Sequence, residues 1–274
     1  MEKYNFHTHT FRCGHAVGDI PEIIEAAREA GYETLGFSEH TYLPDGRWAS
    51  VRLKPEDAEG YFSLIRKHQA LEQEKIDGMR ILAGLECEPV KEYFSFYKEL
   101  KEKYNLDYMI AGNHFFPYEG QIISAFDDRY DVQKKIKTYM QCIIDGIESG
   151  LFFYVAHPDM FMSSKERWDS YTEGAAKEMM AVAKAYGVPL EINLNGYKKG
   201  LVRVGLNLRY HYPFEEFWAL AAKEGVDVVI GVDAHTPRSF SMQYPALDEL
   251  LQKYDLHLLH QDAVLARLEG KKNV

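Results

Sequence analysis

Short apolar runs alternate with longer segments of helical period along the whole chain. The runs are rich in β-branched and aromatic residues, which is typical of buried strands, and the segments between them have the spacing of amphipathic helices. The sequence predicts seven strands, in KYNFH, TLGFS, MRILAGLE, LDYMIAGNH, LFFYVAH, VPLEINLN and VDVVIGVDAH. A helix is predicted after each of them, over about 21–30, 55–74, 91–103, 132–149, 172–186, 214–224 and 246–254.

This order of elements predicts the fold class. Successive strand–helix units form a parallel sheet covered by helices, either an open doubly wound sheet or a barrel related to the eightfold one. No linker rich in Pro, Gly or Ser divides the sequence. We therefore expect one α/β domain over residues 1–274.

The C-terminal ends of the predicted strands carry ionisable side chains. In parallel α/β folds these ends converge on one mouth, where ligands bind. The side chains at or just beyond the ends are His7, His9, His15, His40, Glu86, His114, His157, Asp233 and His235. Imidazoles and carboxylates that face each other leave donors unpaired and charges repelling unless a cation organises them. Nine candidates exceed the roughly four to six ligands of one ion, so we expect two or three divalent ions.

Ligand chemistry restricts the metal, and composition restricts the partners. Mixed imidazole and carboxylate ligands suit Zn, Mn or Fe. The chain has 32 Lys and Arg against 42 Asp and Glu, a net charge of −10 that disfavours nucleic acid. No apolar stretch approaches about 18 residues and no secretory signal is present, so we expect a cytoplasmic protein without a membrane span.

The three cysteines do not form a disulfide framework. Cys13, Cys87 and Cys142 are odd in number and lack a CxxC spacing. Cys87 and Cys142 have the character of small buried residues. Cys13 lies among the histidines, which makes its thiolate a further candidate ligand.

The ordered motifs resemble those of the polymerase and histidinol phosphatase, or PHP, superfamily. The motifs are HTH, CGH, FSEH, GLE, GNH, AHPD and GVDAH, and they extend from residue 7 to residue 235. The resemblance implies a distorted seven-stranded β/α barrel. It also implies three metal groups: His7, His9, Glu86 and Asp233; Glu86, His114 and His157; and His15, His40 and His235.

The resemblance also implies an activity. PHP enzymes of this type are phosphoric monoester hydrolases, in which two bridged ions generate hydroxide near neutral pH and clamp the phosphoryl oxygens. Glu86, Asp233 and His157 are then the candidate catalytic residues. FSEHTYLP and EINLNGYKKG are similar to segments of stand-alone histidinol phosphate phosphatases, which implies hydrolysis of L-histidinol phosphate in histidine biosynthesis. Those enzymes commonly have SGLRKG where this chain has NGYKKG, so Lys198 replaces an arginine.

Several residues near the strand ends are candidates for contact with this substrate. Lys198, Lys199 and Arg203 follow the sixth strand and Arg238 follows the last motif, where a cation could meet the phosphate. Two carboxylates could meet the cationic end of the substrate, and two others could fix imidazole tautomers. The first pair is Glu88 and Glu191, and the second is Glu39 and Asp159.

Two alternatives remain. The first is a phosphoesterase for another small ester, such as a nucleotide 3′,5′-bisphosphate or a sugar phosphate. The second is a non-catalytic binding barrel, although such a protein is expected to have lost ligands and none of the nine is lost. The sequence does not indicate the oligomeric state.

Overall fold

A computed structural model describes residues 3–272 of the chain. Its strands are β1 (Tyr4–Asn5), β2 (Thr34–His40), β3 (Arg80–Cys87), β4 (Tyr108–Gly112), β5 (Phe115–Tyr118), β6 (Gln121–Ser124), β7 (Val155–Ala156), β8 (Leu190–Asn193), β9 (Val202–Val204), β10 (Asn207–Arg209), β11 (Asp227–Gly231) and β12 (His257–Leu258). Eight of them form one sheet in the order β1-β2-β3-β4-β7-β8-β11-β12. Every pair in this sheet is parallel.

The helices cover the sheet. They are α1 (Ile20–Glu29), α2 (Ala58–Gln73), α3 (Phe94–Lys103), α4 (Val132–Glu148), α5 (Ser170–Tyr186), α6 (Asn195–Lys198), α7 (Glu215–Glu224), α8 (Pro245–Lys253) and α9 (Gln261–Lys272). Local sequence explains their starts: α1 begins with a capping box between Asp19 and Glu22, and Pro21 lies in its first turn. Seven of these helices match the predicted segments, whereas α6 and α9 were not predicted. No helix in residues 3–272 is both long and apolar enough to cross a bilayer.

The sheet is curled so that the chain just beyond β1 pairs with the chain just beyond β11. Beyond β1, the backbone N–H of His9 donates to the carbonyl of Ala234 at 2.9 Å, and the N–H of Ala234 donates to the carbonyl of His7 at 3.1 Å. The first residues of β11 pair instead with β12, the last strand of the sheet. The sheet therefore has eight strands and not the expected seven, because β12 forms by pairing with the edge of β11. The hairpins β5–β6 and β9–β10 are separate antiparallel pairs.

An aromatic cluster fills the N-terminal end of the curled sheet. It includes Tyr4, Phe6, Leu82, Tyr108, Ile110, Phe153, Val229, Val264 and Leu268, all buried. The last two belong to α9, which closes this end of the sheet. The Tyr108 hydroxyl donates to the carbonyl of Phe6 at 2.6 Å, and the carbonyl of Phe37 lies 3.1 Å from the same hydroxyl. A Cβ at position 84 of β3 would lie 2.6 Å from the Tyr108 ring, so glycine is required there.

Candidate metal centre

Glu86 is the centre of the C-terminal end of the sheet. Along β3 it lies four residues beyond Leu82, so side-chain alternation puts both on one face of the strand. Its Oε2 lies 3.3 Å from His7 Nε2, 3.4 Å from His9 Nε2 and 2.9 Å from His40 Nδ1. A Cβ on Gly112 of the neighbouring strand would lie only 2.0 Å from Oε1, so the glycine leaves room for this carboxylate.

The other oxygen of Glu86 contacts a second pair of imidazoles. Its Oε1 lies 3.0 Å from His157 Nε2 and 3.5 Å from His114 Nε2. One buried carboxylate is therefore surrounded by five imidazoles from four strand ends. Glu86 and these imidazoles could together hold divalent cations.

Asp233 is a second carboxylate in the same cluster. Its Oδ1 lies 3.5 Å from His7 Nε2, 3.3 Å from His9 Nε2 and 3.2 Å from His235 Nδ1. Its Oδ2 accepts hydrogen bonds from the side-chain amides of Asn193 at 3.3 Å and Asn195 at 3.0 Å. These amides leave Oδ1 free to face the imidazoles.

The backbone is strained at two of these residues. His157 has a φ of +33° and Asp233 a φ of +48°, in the left-handed region that side chains other than glycine seldom occupy. Such conformations cost about 1–3 kcal/mol each and concentrate at functional sites. The side chains of these two strained residues contact Glu86 and His9, respectively, in the cluster.

A third group of imidazoles extends the cluster toward solvent. His15 Nε2 lies 2.9 Å from His235 Nε2, and the His9 ring is stacked on His40 with centroids 4.3 Å apart. The ligand atoms of His9, His40 and His235 all lie within 4.8 Å of one another. The structure therefore brings all nine predicted side chains into one contiguous cluster.

Several ligand atoms in this cluster are buried without a hydrogen-bond partner. They are His7 Nε2, both ring nitrogens of His9, Glu86 Oε2 and Asp233 Oδ1. An unsatisfied buried polar atom costs about 1–3 kcal/mol. Imidazole nitrogens and carboxylate oxygens are also the atoms that bind divalent transition metals. The donor set therefore fits divalent metal ions.

The charges of the cluster suit cation binding. Burial opposes ionisation of Glu86, but the neighbouring His7, His40 and His114 outweigh it and hold the pKa of Glu86 well below its ordinary value. For Asp233, His7 and His235 likewise outweigh burial and keep its pKa well below the usual range. Burial lowers the pKa of His40 and of His157 and so favours their neutral forms. Burial also opposes the charge of His7 and His114, but the surrounding carboxylates outweigh it and raise the pKa of both, so a metal must displace a proton there. Charged carboxylates and neutral imidazoles are the forms that coordinate metals.

Glu191 does not face the mouth but holds His7. It is completely buried, and its Oε1 lies 2.9 Å from His7 Nδ1. It also accepts hydrogen bonds from Tyr154 Oη at 3.2 Å, the His157 N–H at 3.2 Å and the Asn193 amide at 2.8 Å. These contacts direct His7 Nε2 toward Glu86, and they leave no capacity for a substrate amine.

The other predicted carboxylates have different surroundings. Glu88 is buried and lies 3.2 Å from His114 Nδ1. Glu39 accepts from the Thr10 N–H, and its Oε2 lies 3.6 Å from His9 Nδ1. Asp159 contacts none of the imidazoles through its carboxylate, which accepts from the Phe214 N–H and the Trp218 indole. Burial raises the pKa of Asp159 to about 7.

The predicted cations differ in their distance from the cluster. Lys198 is half-buried and donates to Ser239 Oγ at 3.2 Å, and burial lowers its pKa while the nearby Asp233 raises it. Lys199 donates to Tyr212 Oη at 3.2 Å. Arg203 and Arg238 are exposed. No hydrogen bond or ion pair within residues 3–272 joins Arg203 to the nine side chains.

Cys13 lies beside the third group as a buried thiol. Its Sγ lies within 4.8 Å of ligand atoms of His15 and His235, yet it donates to the Thr10 carbonyl at 3.2 Å. Burial raises the pKa of Cys13 to about 12. In this structure the thiol is therefore protonated and satisfied by the backbone.

Three residues of the site were not predicted from the sequence. Asn193 and Asn195 fix Asp233, and alternation from Glu191 along β8 could have identified Asn193. Arg52 forms a buried ion pair with Glu88. No local pattern in the sequence indicates this pair, since Arg52 lies in the irregular stretch between two short 3-10 helices, Ala49–Val51 and Pro55–Asp57.

The sequence of this chain matches a known protein family. The family model of the PHP domain matches residues 5–195. The chain belongs to the PHP domain family. The resemblance read from the strand-end motifs is thereby confirmed, and the motif GVDAH follows the matched PHP region.

Two relatives of this PHP protein match along most of their length. The chain is 27% identical over 244 residues to a Deinococcus radiodurans protein named "Probable histidinol-phosphatase", covering 87% of this chain and 88% of that protein. It is 26% identical over 274 residues to a Schizosaccharomyces pombe protein of the same name, covering 90% and 85%.

Two solved structures have a similar fold. The histidinol phosphate phosphatase of Lactococcus lactis, solved with Zn, L-histidinol and phosphate, matches with a TM-score of 0.68 and 17% identity over 94% of this chain and 95% of that one. A chain of archaeal ribonuclease P with mature tRNA matches with a TM-score of 0.55 and 13% identity, covering 98% and 90%. At such identities the likeness concerns the fold, a curled parallel α/β sheet.

Proposed function

We propose that this PHP protein, as one domain, is a metal-dependent phosphoric monoester hydrolase that converts L-histidinol phosphate to L-histidinol and phosphate in histidine biosynthesis. The observation that carries the proposal is the clustering of nine metal-type side chains, five of them imidazoles around Glu86, with buried ligand atoms that lack partners. The names of the two relatives and the ligands of the Lactococcus lactis structure support the choice of substrate.

The three groups of side chains correspond to two or three ions, with Zn, Mn or Fe as candidates. His7, His9, Glu86 and Asp233 would hold the first, Glu86, His114 and His157 the second, and His15, His40 and His235 the third. Such ions, when bound, make water a stronger nucleophile and stabilise the charge on a phosphoryl group. The residues of the chain fix the ligand positions: Glu191 orients His7, and Asn193 with Asn195 orients Asp233.

Lys198 is our candidate for the phosphate contact. Its ammonium group lies next to Ser239 and in the field of Asp233, at the rim of the cluster. A lysine acts on phosphate as a point charge, without the bidentate geometry of arginine. Because Glu88 and Glu191 are occupied by ligand histidines, we assign them to positioning and not to the substrate amine.

The proposal is tested by substrate comparison. Protein stripped of metal is reloaded separately with Mn, Zn and Fe, and phosphate release is measured from L-histidinol phosphate, a nucleotide 3′,5′-bisphosphate and sugar phosphates. We expect kcat/KM for L-histidinol phosphate to exceed the others by at least about a hundredfold, since specific pocket contacts give discrimination of that size. A flat or shifted profile rejects the substrate, and no release from any ester rejects the phosphatase.

A matched pair of lysine and arginine variants tests the phosphate contact. Lys198→Ala should lower kcat/KM by about 10–100-fold, because a lost hydrogen bond to a charged group costs about 1.5–3 kcal/mol. Arg203→Ala removes another cation that follows β8, but one that is exposed. This substitution should leave kcat/KM unchanged. Equal effects of the two substitutions would contradict the assignment of Lys198.

A further inference from the structure

A buried arginine lies just outside the nine clustered side chains. Arg52 belongs to the segment between β2 and α2 and is only 2% exposed. Its Nη2 donates to Glu88 Oε1 at 2.6 Å, and its Nη1 donates to the carbonyl of Thr41 at 3.2 Å. Burial of a charged group is costly unless it is paired, so this position requires a partner charge.

Glu88 is that partner, and it is shared with a ligand histidine. Its Oε2 accepts from the N–H groups of His114 at 2.8 Å and Phe115 at 3.1 Å. Its Oε1 lies 3.2 Å from His114 Nδ1. Glu88 also lies only two residues from the buried Glu86, so Arg52 provides the positive charge that allows two carboxylates here. The place of Glu88 beside His114 thus depends on Arg52.

The pairing determines which nitrogen His114 directs to the cluster. A proton on Nδ1, donated to Glu88, leaves the lone pair on Nε2, and Nε2 lies 3.5 Å from Glu86 Oε1. Carboxylates that accept from a ligand histidine in this way fix both its tautomer and its ring orientation.

Two aromatic rings cover the ion pair. Trp48 and Phe115 are stacked with centroids 4.0 Å apart, and the Arg52 guanidinium carbon lies 5.4 Å and 5.8 Å from them. A guanidinium near aromatic faces is stabilised and shielded from water. Since Phe115 directly follows His114, the cover also connects the segment of Arg52 to the ligand.

We propose that Arg52 is a positioning residue: through Glu88 it holds His114 in the Nδ1–H tautomer with Nε2 presented to a divalent ion beside Glu86. The inference rests on the metal dependence in the proposed function, but not on the identity of the phosphate ester. It adds a residue outside the strand ends to the centre.

The test compares Arg52→Met and Arg52→Lys with a matched control, Arg28→Met. The control removes another arginine whose Nη2 donates at 2.6 Å to a buried glutamate, Glu72, outside the cluster. One readout is the His114 tautomer, from ¹⁵N NMR of the metal-free protein at a pH high enough for the imidazole to be neutral, because Glu86 and Glu88 outweigh burial and raise the pKa of His114. The other is the affinity for Zn at each site, from competition with a chelator.

We expect Arg52→Met to lose the single Nδ1–H tautomer of His114 and to weaken the binding of one Zn ion by about 10–100-fold. Arg52→Lys, which keeps the charge, should recover part of both, and Arg28→Met should change neither. Wild-type tautomer and Zn affinities in Arg52→Met would overturn the proposal.

A second variant covers the case in which Arg52→Met fails to fold. Glu88→Gln keeps the shape of the side chain and should also disturb the His114 tautomer and the Zn affinity. An undisturbed tautomer in that variant would again overturn the role of Arg52. Neither readout uses L-histidinol phosphate, so a negative result with that substrate does not affect the test of Arg52. Absence of Zn binding by the wild-type protein would reject the proposed function itself.

Discussion

The N-terminal and C-terminal ends of the strands in the curled sheet have opposite roles. On β3, Leu82 at the N-terminal end packs in the aromatic cluster, whereas Glu86 at the C-terminal end lies among imidazoles. At the N-terminal end the buried Tyr108 hydroxyl has carbonyl acceptors within reach, whereas at the C-terminal end no donor hydrogen-bonds to Glu86 Oε2 or Asp233 Oδ1. The N-terminal end stabilises the fold, and the C-terminal end holds unsatisfied groups and backbone strain in position for ligands.

The largest expected effect comes from removing a charge at the C-terminal end. Asp233→Asn should lower kcat at least about a thousandfold, because the ions supply several kcal/mol of transition-state stabilisation. The urea midpoint of the metal-free protein should stay close to that of the wild type, since Asp233 lies outside the aromatic cluster. Phosphate release and urea unfolding measure the two effects. Equal loss of folding and activity would instead indicate a structural metal.

The second-largest effect is expected at the N-terminal end, where a substitution should lower stability and leave activity unchanged. Leu82→Ala should lower the free energy of unfolding by about 2–5 kcal/mol, because it leaves a cavity in a buried cluster. Activity per folded molecule and metal affinity should remain at wild-type values. Urea unfolding and steady-state kinetics at low temperature provide the measurement. A fall in kcat of the folded variant would show that the two ends are coupled.

The smallest effect is a dependence of metal affinity on pH. Burial lowers the pKa of His9, but the carboxylates of Asp233 and Glu39, which lie close to its ring nitrogens, outweigh burial and raise the pKa to about 9. Below that value a metal must displace a proton from His9, so apparent affinity should rise with pH by about tenfold per unit for each proton released. Chelator competition between pH 6.5 and 8.5 measures the slope, and Leu82→Ala should share it. A flat profile would contradict the protonation of His9.

The strand ends were predictable because two regular features determine them. Side-chain alternation gives the face of Glu86, and a parallel arrangement brings the C-terminal ends of all strands to one mouth. The partner of each carboxylate was not predictable in this way. Glu88 and Glu191 were expected to meet the substrate, but Arg52, His114 and His7 occupy them, through contacts that join distant parts of the chain.

Short elements were also missed, for a related reason. The hairpins β5–β6 and β9–β10 have strands of three or four residues, too few for a periodic pattern to distinguish them from loops. β12 forms only because β11 offers an edge for pairing. Tertiary structure, and not local sequence, determines such elements.

The central claim, that the C-terminal end of the sheet is a multinuclear metal centre, is tested most directly by counting ions. Elemental analysis of wild-type protein saturated with Zn or Mn and freed of excess metal should give two or three ions per chain. One ion or none per folded chain would contradict the account.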